Sequence, residues 1–175
     1  MFEVLFPTTR TTLYEIHQLI SDFREVNQLE AARLQCAKLG GYLYVRCDEP
    51  FNEARERTLV SAGPVEFSFD YSCEKVISFD GSRRKSLVKS PEQIQQSIRR
   101  ALQDGGLTDI EFVWGERKWE PLKKGVKHYI PIVRVTGQAI IGNPEQFREL
   151  LLTGVGKRRS FGLGMLLLGE SAYAD

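Results

Sequence analysis

The clearest hydrophobic pattern in the chain lies in its second half, where apolar and polar residues alternate. Apolar side chains occupy every second position from Val65 to Tyr71, and this period of two predicts a strand with one buried face and one wet face. Further strands are predicted over Ile110–Trp114, Tyr129–Ile141 and, as the last element, Phe161–Leu168.

Two helices are predicted between these strands. Ser90-Pro91-Glu92-Gln93 combines an N-cap serine, a proline at the first helical position and a capping-box glutamine, and apolar residues follow at helical spacing until Gly105. The next helix begins at Asn143-Pro144 and ends at Gly154. Residues 64–175 therefore have the order β-α-β-β-α-β, which is shared by RNA-recognition domains and many unrelated proteins.

The first 62 residues predict a reduced version of the same plan. A strand over residues 2–6 is followed by Thr12 and Glu15, a capping box for a helix that ends near residue 23. Three weaker elements follow: a helix over Leu29–Leu39, a strand over Tyr42–Val45 and a strand over Thr58–Val60. The predicted fold class is α+β, with two tandem ferredoxin-like (RRM-like) domains at residues 1–62 and 63–175, antiparallel sheets and helices on one face.

The composition is that of a folded protein and does not by itself indicate a partner. The 175 residues are 42% hydrophobic, 27% charged and 10% aromatic, enough for one large core or two small ones. The net charge of +1 predicts neither nucleic acid nor membrane, so the positions of the charges must decide. The N-terminus lacks signal-peptide features, and the longest apolar stretch is far shorter than the about 20 residues of a membrane span. We expect no membrane partner.

Residue types that hold metals are scarce. Three cysteines, Cys36, Cys47 and Cys73, show neither CxxC nor zinc-ligand spacing, so we expect buried, reduced thiols in a cytoplasmic protein. Two histidines without an HExxH motif offer little for a metal site, and the GxSxG and GxxxxGK[ST] motifs are absent. We expect neither a metal nor a cofactor.

The most specific motif is a glycine-rich, basic segment at residues 154–164. Its glycines are Gly154, Gly156, Gly162 and Gly164, and they flank Lys157, Arg158 and Arg159. Glycines at these offsets indicate a close approach to the backbone, and cations beside exposed backbone N–H groups match a phosphate backbone. The alternative is an ordinary glycine-rich connection with solvated cations.

Two further basic clusters accompany this segment. One comprises Arg83, Arg84, Lys85 and Lys89, and the other comprises Arg117, Lys118, Lys123, Lys124 and Lys127, with Trp119 among them. Each alone is typical of a solvated face. Acidic residues are concentrated elsewhere, at Asp48, Glu49, Glu53 and Glu56, so the three clusters together give the charge asymmetry of an RNA- or DNA-facing surface.

The first helix carries a candidate for acid-base chemistry. Tyr14, His17 and Ser21 form a stripe beside the apolar face of this helix, so His17 lies at the margin of the core. RNA transesterification needs a base for the 2'-hydroxyl and an acid for the leaving 5'-oxygen, and an imidazole can serve as either near neutral pH. The alternative is a half-exposed helix histidine without a function, and His128 has no comparable neighbours.

Taken together, these residues resemble a known family, the CRISPR-associated endoribonucleases of the RAMP superfamily that cut precursor CRISPR RNA within its repeats. The glycine-rich segment, preceded by a strand and a helix that opens with Asn143-Pro144-Glu145, resembles the superfamily signature. Tyr14 and His17 match the YxxH catalytic pair of the type I-E members, which serve the Cascade complex.

The resemblance implies a tandem ferredoxin-like pair that binds a repeat hairpin and cleaves it at its 3' base without metal, leaving a 2',3'-cyclic phosphate. It implies that His17 is the general acid or base and that Tyr14 orients the phosphate or stabilises charge. The family's loop cations map onto Lys157 and Arg159, and its basic hairpin maps onto Arg83 and Arg84. The implied partners are the repeat hairpin, the mature crRNA and other Cascade subunits.

The chain departs from the family pattern in two places. The segment of residues 48–63 is shorter than the family usually has, so the first domain is expected to lack its second helix, with Leu29–Leu39 as a substitute or an insertion. Arg158 stands where the family often has glycine. Two other functions remain open: a non-cleaving RNA-binding subunit of a CRISPR ribonucleoprotein, and a ferredoxin-like protein without a nucleic-acid role. The nuclease interpretation requires Tyr14 and His17 to face the same groove as the glycine-rich segment.

Overall fold

The computed structural model describes residues 1–10, 12–79, 83–125 and 127–174, with the side chains of 76–79 and 83–85 outside the description. The first part of the chain forms β1 (Phe2–Pro7), α1 (Leu13–Val26), β2 (Leu34–Leu39), β3 (Tyr42–Cys47) and β4 (Arg55–Glu56). Its four strands make an antiparallel sheet in the order β2-β3-β1-β4. Ile16 and Ile20 of α1 belong to the same buried cluster as Leu43 and Val45 of this sheet.

The predicted helix over Leu29–Leu39 is wrong, because residues 34–39 form strand β2. Gly40, at φ +58°, connects this strand to β3 in a tight hairpin. Leu34–Ala37 are buried at four consecutive positions, since α1 covers one face and the second part of the chain covers the other. A strand buried on both faces shows no period of two, so its sequence cannot be told from a buried helix.

The second part forms a larger antiparallel sheet and a separate hairpin. Its elements are β5 (Gly63–Ser72), β6 (Glu74–Phe79), β7 (Arg83–Val88), α2 (Pro91–Asp104), β8 (Leu107–Trp114), β9 (Lys118–Pro121), β10 (Tyr129–Ile141), α3 (Pro144–Thr153) and β11 (Leu167–Leu168). The sheet has the order β11-β5-β10-β8, β9 extends β10, and β6 pairs with β7. The predicted strands at 65–71, 110–114 and 129–141 and both helices are confirmed, and so is the α+β fold class.

Two predicted strands are largely wrong. Residues 58–60 contribute only an isolated bridge between Leu59 and Tyr173. Of the predicted final strand, only Leu167–Leu168 is extended, whereas residues 159–161 form a 3-10 turn. Gly162 and Gly164 adopt φ values of +84° and +78°, which interrupt a strand. The domain boundary at residues 62 and 63 stays a prediction.

A buried polar network joins the first sheet to the end of the chain. Arg46 is fully buried and donates from Nε to Glu3 Oε1 at 2.6 Å and from Nη1 to the Leu166 carbonyl at 2.8 Å. Tyr173 donates its hydroxyl to Glu3 at 3.2 Å, and Tyr44 also donates to Glu3. A buried guanidinium needs such partners, because an unpaired charge in the interior is strongly unfavourable.

The three cysteines are free and buried, as predicted. Burial raises the pKa of the Cys36 thiol to about 12, so this thiol stays protonated and unreactive. Among the described residues, none of the helices is both long and apolar enough to cross a membrane.

Candidate active site

The first helix places His17 against the glycine-rich segment. Its Nδ1 lies 3.1 Å from the Ser160 carbonyl oxygen, and its ring stacks on Phe161 with 4.7 Å between centroids and 21° between planes. A carbonyl oxygen only accepts, so the contact assigns the proton to Nδ1 and leaves Nε2 as the acceptor in the neutral ring. The imidazole is thus oriented by a residue 143 positions away in the chain.

His17 lines a groove of about 530 Å³ between the first helix and the basic segment. Its lining comes from α1 (His17, Ile20, Ser21, Arg24), from β2 (Leu34, Gln35, Cys36) and from residues 158–161. The groove therefore brings together the candidate imidazole, Ser21 and two of the predicted loop cations, Arg158 and Arg159.

Tyr14 lies one turn before His17 and contacts a different segment. The Tyr14 backbone amide donates to the Leu122 carbonyl at 2.8 Å, and the Lys123 ammonium lies 4.8 Å from the centre of the Tyr14 ring. Tyr14 is outside the lining described for the His17 groove, so of the predicted catalytic pair only His17 meets the expectation of a groove shared with the glycine-rich segment. The helix thus connects that groove to the third basic cluster, which contains Lys123.

The four glycines of the segment pack against the protein itself. All have positive φ, from +72° at Gly154 to +84° at Gly162, a region that residues with a Cβ rarely adopt. A Cβ at Gly156 would lie 2.7 Å from the Tyr71 ring, and one at Gly164 would overlap the Val155 carbonyl oxygen. The close approach expected from the motif is therefore made by neighbouring residues of the chain, which fix the path of the loop.

The three loop cations have different environments. Lys157 and Arg159 are exposed, and Arg159 donates to the Thr153 carbonyl at 2.7 Å. Arg158 instead turns into the protein, where its Nε lies 2.9 Å from Glu74 Oε2 and its guanidinium carbon lies 5.7 Å from the Phe161 ring centre. Arg158 is thus already paired with a carboxylate.

Glu74 is a nearly buried carboxylate at the base of the β6–β7 hairpin, with 2% of its surface exposed. Ser86 of β7 donates to its other oxygen at 3.0 Å. Burial would raise the pKa of Glu74, but the hydrogen bonds from Arg158 and Ser86 outweigh it, so the pKa lies below its ordinary value. The pair links the hairpin to the segment that contacts His17.

The predicted cations Arg83, Arg84 and Lys85 lie on β7, opposite Phe79, Ser78 and Ile77 of β6. Their side chains are outside the described part of the structure. Only the strand that carries them is placed, and it is the strand whose Ser86 contacts Glu74.

Sequence reasoning missed three residues that shape the site. Ser160 and Phe161 lie inside the glycine motif, so their position in the motif could have indicated them. Glu74 carries no local signal, since its partner Arg158 is 84 residues away. Within the described residues, no three His, Cys, Asp or Glu side chains are grouped to hold a metal ion.

The fold is similar to that of several solved CRISPR proteins. CRISPR endoribonuclease Cse3 bound to a 19-nucleotide RNA matches with a TM-score of 0.70 at 19% identity, over 96% of both chains. Thermus thermophilus Cse3, bound to an RNA representing a pre-cleavage complex, matches with 0.68 at 17% identity, over 96% of this chain and 98% of that one. Cas6e from Escherichia coli K-12 matches with 0.64 at 18% identity, over 97% and 99%.

Two sequence comparisons were made. A search of curated proteins gives no match. The family model described as CRISPR associated protein matches residues 72–169, which is more than half of the chain and includes the glycine-rich segment. The chain therefore belongs to the CRISPR-associated protein family, as its motifs predicted, and it has the tandem ferredoxin-like fold of Cse3 and Cas6e.

Proposed function

We propose that this protein is an endoribonuclease that binds a CRISPR repeat stem-loop in precursor crRNA and cleaves it without a metal ion. The observation that carries the proposal is the contact of His17 with Ser160 and Phe161, which puts an oriented imidazole in one groove with the basic segment. Family membership and the likeness to RNA-bound Cse3 support it. The cleavage product is the mature crRNA, which serves as the guide RNA of a Cascade-type complex.

The chemistry is an internal transesterification. The 2'-oxygen attacks the adjacent phosphorus and loses its proton to a base, the bond to the 5'-oxygen breaks, and that oxygen takes a proton from an acid. The products are a 2',3'-cyclic phosphate and a 5'-hydroxyl. His17 Nε2 serves one of these two proton transfers, as general acid or base, while the Ser160 carbonyl holds Nδ1–H and fixes the ring.

Phosphate binding is assigned to the exposed cations. Lys157 and Arg159 are close to the groove and stabilise the negative charge that grows on the phosphate oxygens during attack. Tyr14 orients the phosphate from the neighbouring turn of the helix. Arg83, Arg84 and Lys85 on β7 bind the phosphates of the repeat stem, which is where a double-stranded RNA offers its charge.

Cleavage of the cognate repeat RNA in the presence of EDTA tests the proposal. We expect wild type to cut and His17→Ala to be slower by about 10² to 10⁴, which is the usual contribution of a general acid or base. Gln18→Ala, an exposed neighbour on the same helix, is the control and should cut at the wild-type rate. A requirement for a divalent metal, or equal rates for wild type and His17→Ala, would refute the mechanism.

A repeat RNA with a 2'-deoxy substitution at the cut site separates cleavage from binding. Removal of the attacking hydroxyl should abolish cleavage and leave the Kd almost unchanged. Tight binding of the unmodified RNA without any cleavage would instead show a structural RNA-binding subunit.

A further inference from the structure

The β9–β10 hairpin presents an exposed aromatic face that the cleavage reaction does not use. Trp119 and Tyr129 are 55% and 51% exposed. Trp119 pairs with Pro131, and Tyr129 pairs with Pro121, so the alternation along both strands puts these four side chains on one face. Exposed aromatic rings grouped on one face, unlike scattered single ones, indicate a candidate interaction surface.

The opposite face of the hairpin packs against the candidate active site. Ile130 and Ile132 are buried in one cluster with Leu163 of the glycine-rich segment, and Leu13 and Leu122 pack against it. Leu13 begins the helix that carries Tyr14 and His17. The orientation of the aromatic face relative to that helix is therefore set by a small apolar core.

The surroundings of the two rings are basic. The segment from residue 115 to 129 contains five cations (Arg117, Lys118, Lys123, Lys124 and Lys127) against the two carboxylates Glu116 and Glu120. All five are exposed, and Lys123 contacts the Tyr14 ring. Lysines are depleted in protein–protein interfaces, whereas cations interleaved with exposed aromatic rings are typical of surfaces that bind single-stranded nucleic acid.

We propose that Trp119 and Tyr129 stack on unpaired bases of the single-stranded RNA that flanks the repeat stem; this inference rests on the proposed function. Residues placed diagonally across two strands lie about 7–8 Å apart, which lets the two rings take two separate, splayed bases. Paired bases of a stem keep their faces covered, so the rings select unpaired nucleotides. In this proposal, the single-stranded RNA extends from the His17 groove past Tyr14 and Lys123 to the aromatic face.

The test measures the Kd of repeat RNAs made non-cleavable by a 2'-deoxy substitution at the cut site. Four RNAs are compared: the stem with both flanks, with the 3' flank only, with the 5' flank only, and with neither. Trp119→Ala and Tyr129→Ala are the variants, and Tyr42→Ala is the matched control, since Tyr42 is 50% exposed on the first sheet. Trp119→Phe keeps a ring and should retain most of the affinity.

We expect Trp119→Ala to weaken binding of the RNA with both flanks and of one of the two single-flank RNAs by about 5- to 150-fold, the effect of removing one base–aromatic stack, and to leave the other single-flank RNA and the bare stem unchanged. The arm that responds identifies the flank. Equal losses for flanked and bare stem, or no loss at all, would overturn the inference, and if association with a protein subunit falls instead, the face binds protein.

Fluorescence gives a second measurement. The chain has two tryptophans, and Trp119→Phe removes the fluorescence emission of one of them. Flanked RNA should quench this Trp119 emission in wild type, whereas the bare stem should not. If wild type binds and cuts repeat RNA through His17 while this quenching is absent, only the inference fails. If the protein does not bind repeat RNA, the proposed function fails with it.

Discussion

Replacement of Arg158 with alanine should destabilise the protein although this arginine lies in a loop. The change removes the guanidinium that pairs with Glu74 at 2.9 Å and leaves Ser86 as the remaining described donor to that carboxylate. The Glu74 side chain is 3% exposed and that of Arg158 is 29% exposed. Water reaches the vacated side only in part, so Glu74 becomes a poorly compensated buried charge.

The size of the effect follows from this burial. Loss of one partner of a fully buried ion pair costs about 3–5 kcal/mol. Since Arg158 is partly exposed, we expect about 1–3 kcal/mol for Arg158→Ala at pH 7. Glu74→Gln keeps an oxygen that can accept from Arg158 and should cost about 1 kcal/mol. The double variant lacks the uncompensated charge, so its loss should be smaller than the sum of the two.

The pH dependence has a definite sign. The pKa of Glu74 is lower in the folded protein than its ordinary value of 4.5, so the folded state binds fewer protons there than the unfolded state. The stability from the pair is present above pH 4.5 and is lost as the pH falls through the lowered pKa. The stability difference between wild type and Arg158→Ala should therefore shrink in acid.

Urea unfolding of the four proteins of this cycle, at pH 7 and at acid pH, measures these free energies. Arg159→Ala is the control for stability, because the Arg159 side chain is exposed and its described bond is to the Thr153 carbonyl. Single-turnover cleavage should fall with Arg158→Ala, since Arg158 contacts the ring of Phe161 on which His17 stacks. Additive free energies would refute the coupling. A weaker salt dependence of RNA binding in Arg158→Ala, with stability unchanged, would assign Arg158 to a phosphate instead.

Two further substitutions test the packing around the site. Gly164→Ala should cost at least about 2 kcal/mol of stability and slow cleavage, because it adds overlap with Val155 to the strain of φ +78°. Gly40→Ala is the control and should cost about 1 kcal/mol, because Gly40 has φ +58° but nothing within 4 Å of the added Cβ. Equal losses for the two variants in urea unfolding would contradict the argument. Arg46→Met should cost about 2–4 kcal/mol, because it leaves the buried Glu3 with Arg57, 4.0 Å away, as its remaining described cation. Glu3→Gln added to it should restore part of that loss, and a loss below about 1 kcal/mol for Arg46→Met alone would contradict the argument.

The elements that could be predicted from the sequence are those with one wet face. Strand β5 and most of β10 alternate because solvent covers one side of the sheet, and α2 shows its caps and its buried stripe of Ile94, Ile98 and Leu102. The prediction for the residues of strand β2 was wrong for the opposite reason. Its consecutive buried residues face α1 on one side and the glycine-rich segment on the other, where Gly154 approaches Gln35. Burial of that kind depends on tertiary contacts that no local pattern records.

The candidate site divides in the same way. Tyr14 and His17 could be found because helical periodicity alone puts them on one stripe, and the loop cations because glycines mark the turn that carries them. The contacts that these residues make in the folded chain could not be predicted. The pairing of Arg158 with Glu74 depends on a hairpin 84 residues earlier in the chain, so the sequence predicts a phosphate ligand at Arg158 but gives no sign of this ion pair.

The arrangement also explains how a flexible residue type can serve a site that needs rigidity. Glycine costs the most entropy to order, yet the loop around Ser160 must be fixed if its carbonyl is to orient His17. Contacts from three directions supply that order: Tyr71 against Gly156, Ile16 against Gly162 and Glu74 against Arg158. Because Ile16 directly precedes His17 on the helix, the loop and the imidazole are packed as one unit. Under the proposed function, RNA bound by the hairpin and the loop would therefore act on the same unit that transfers the proton.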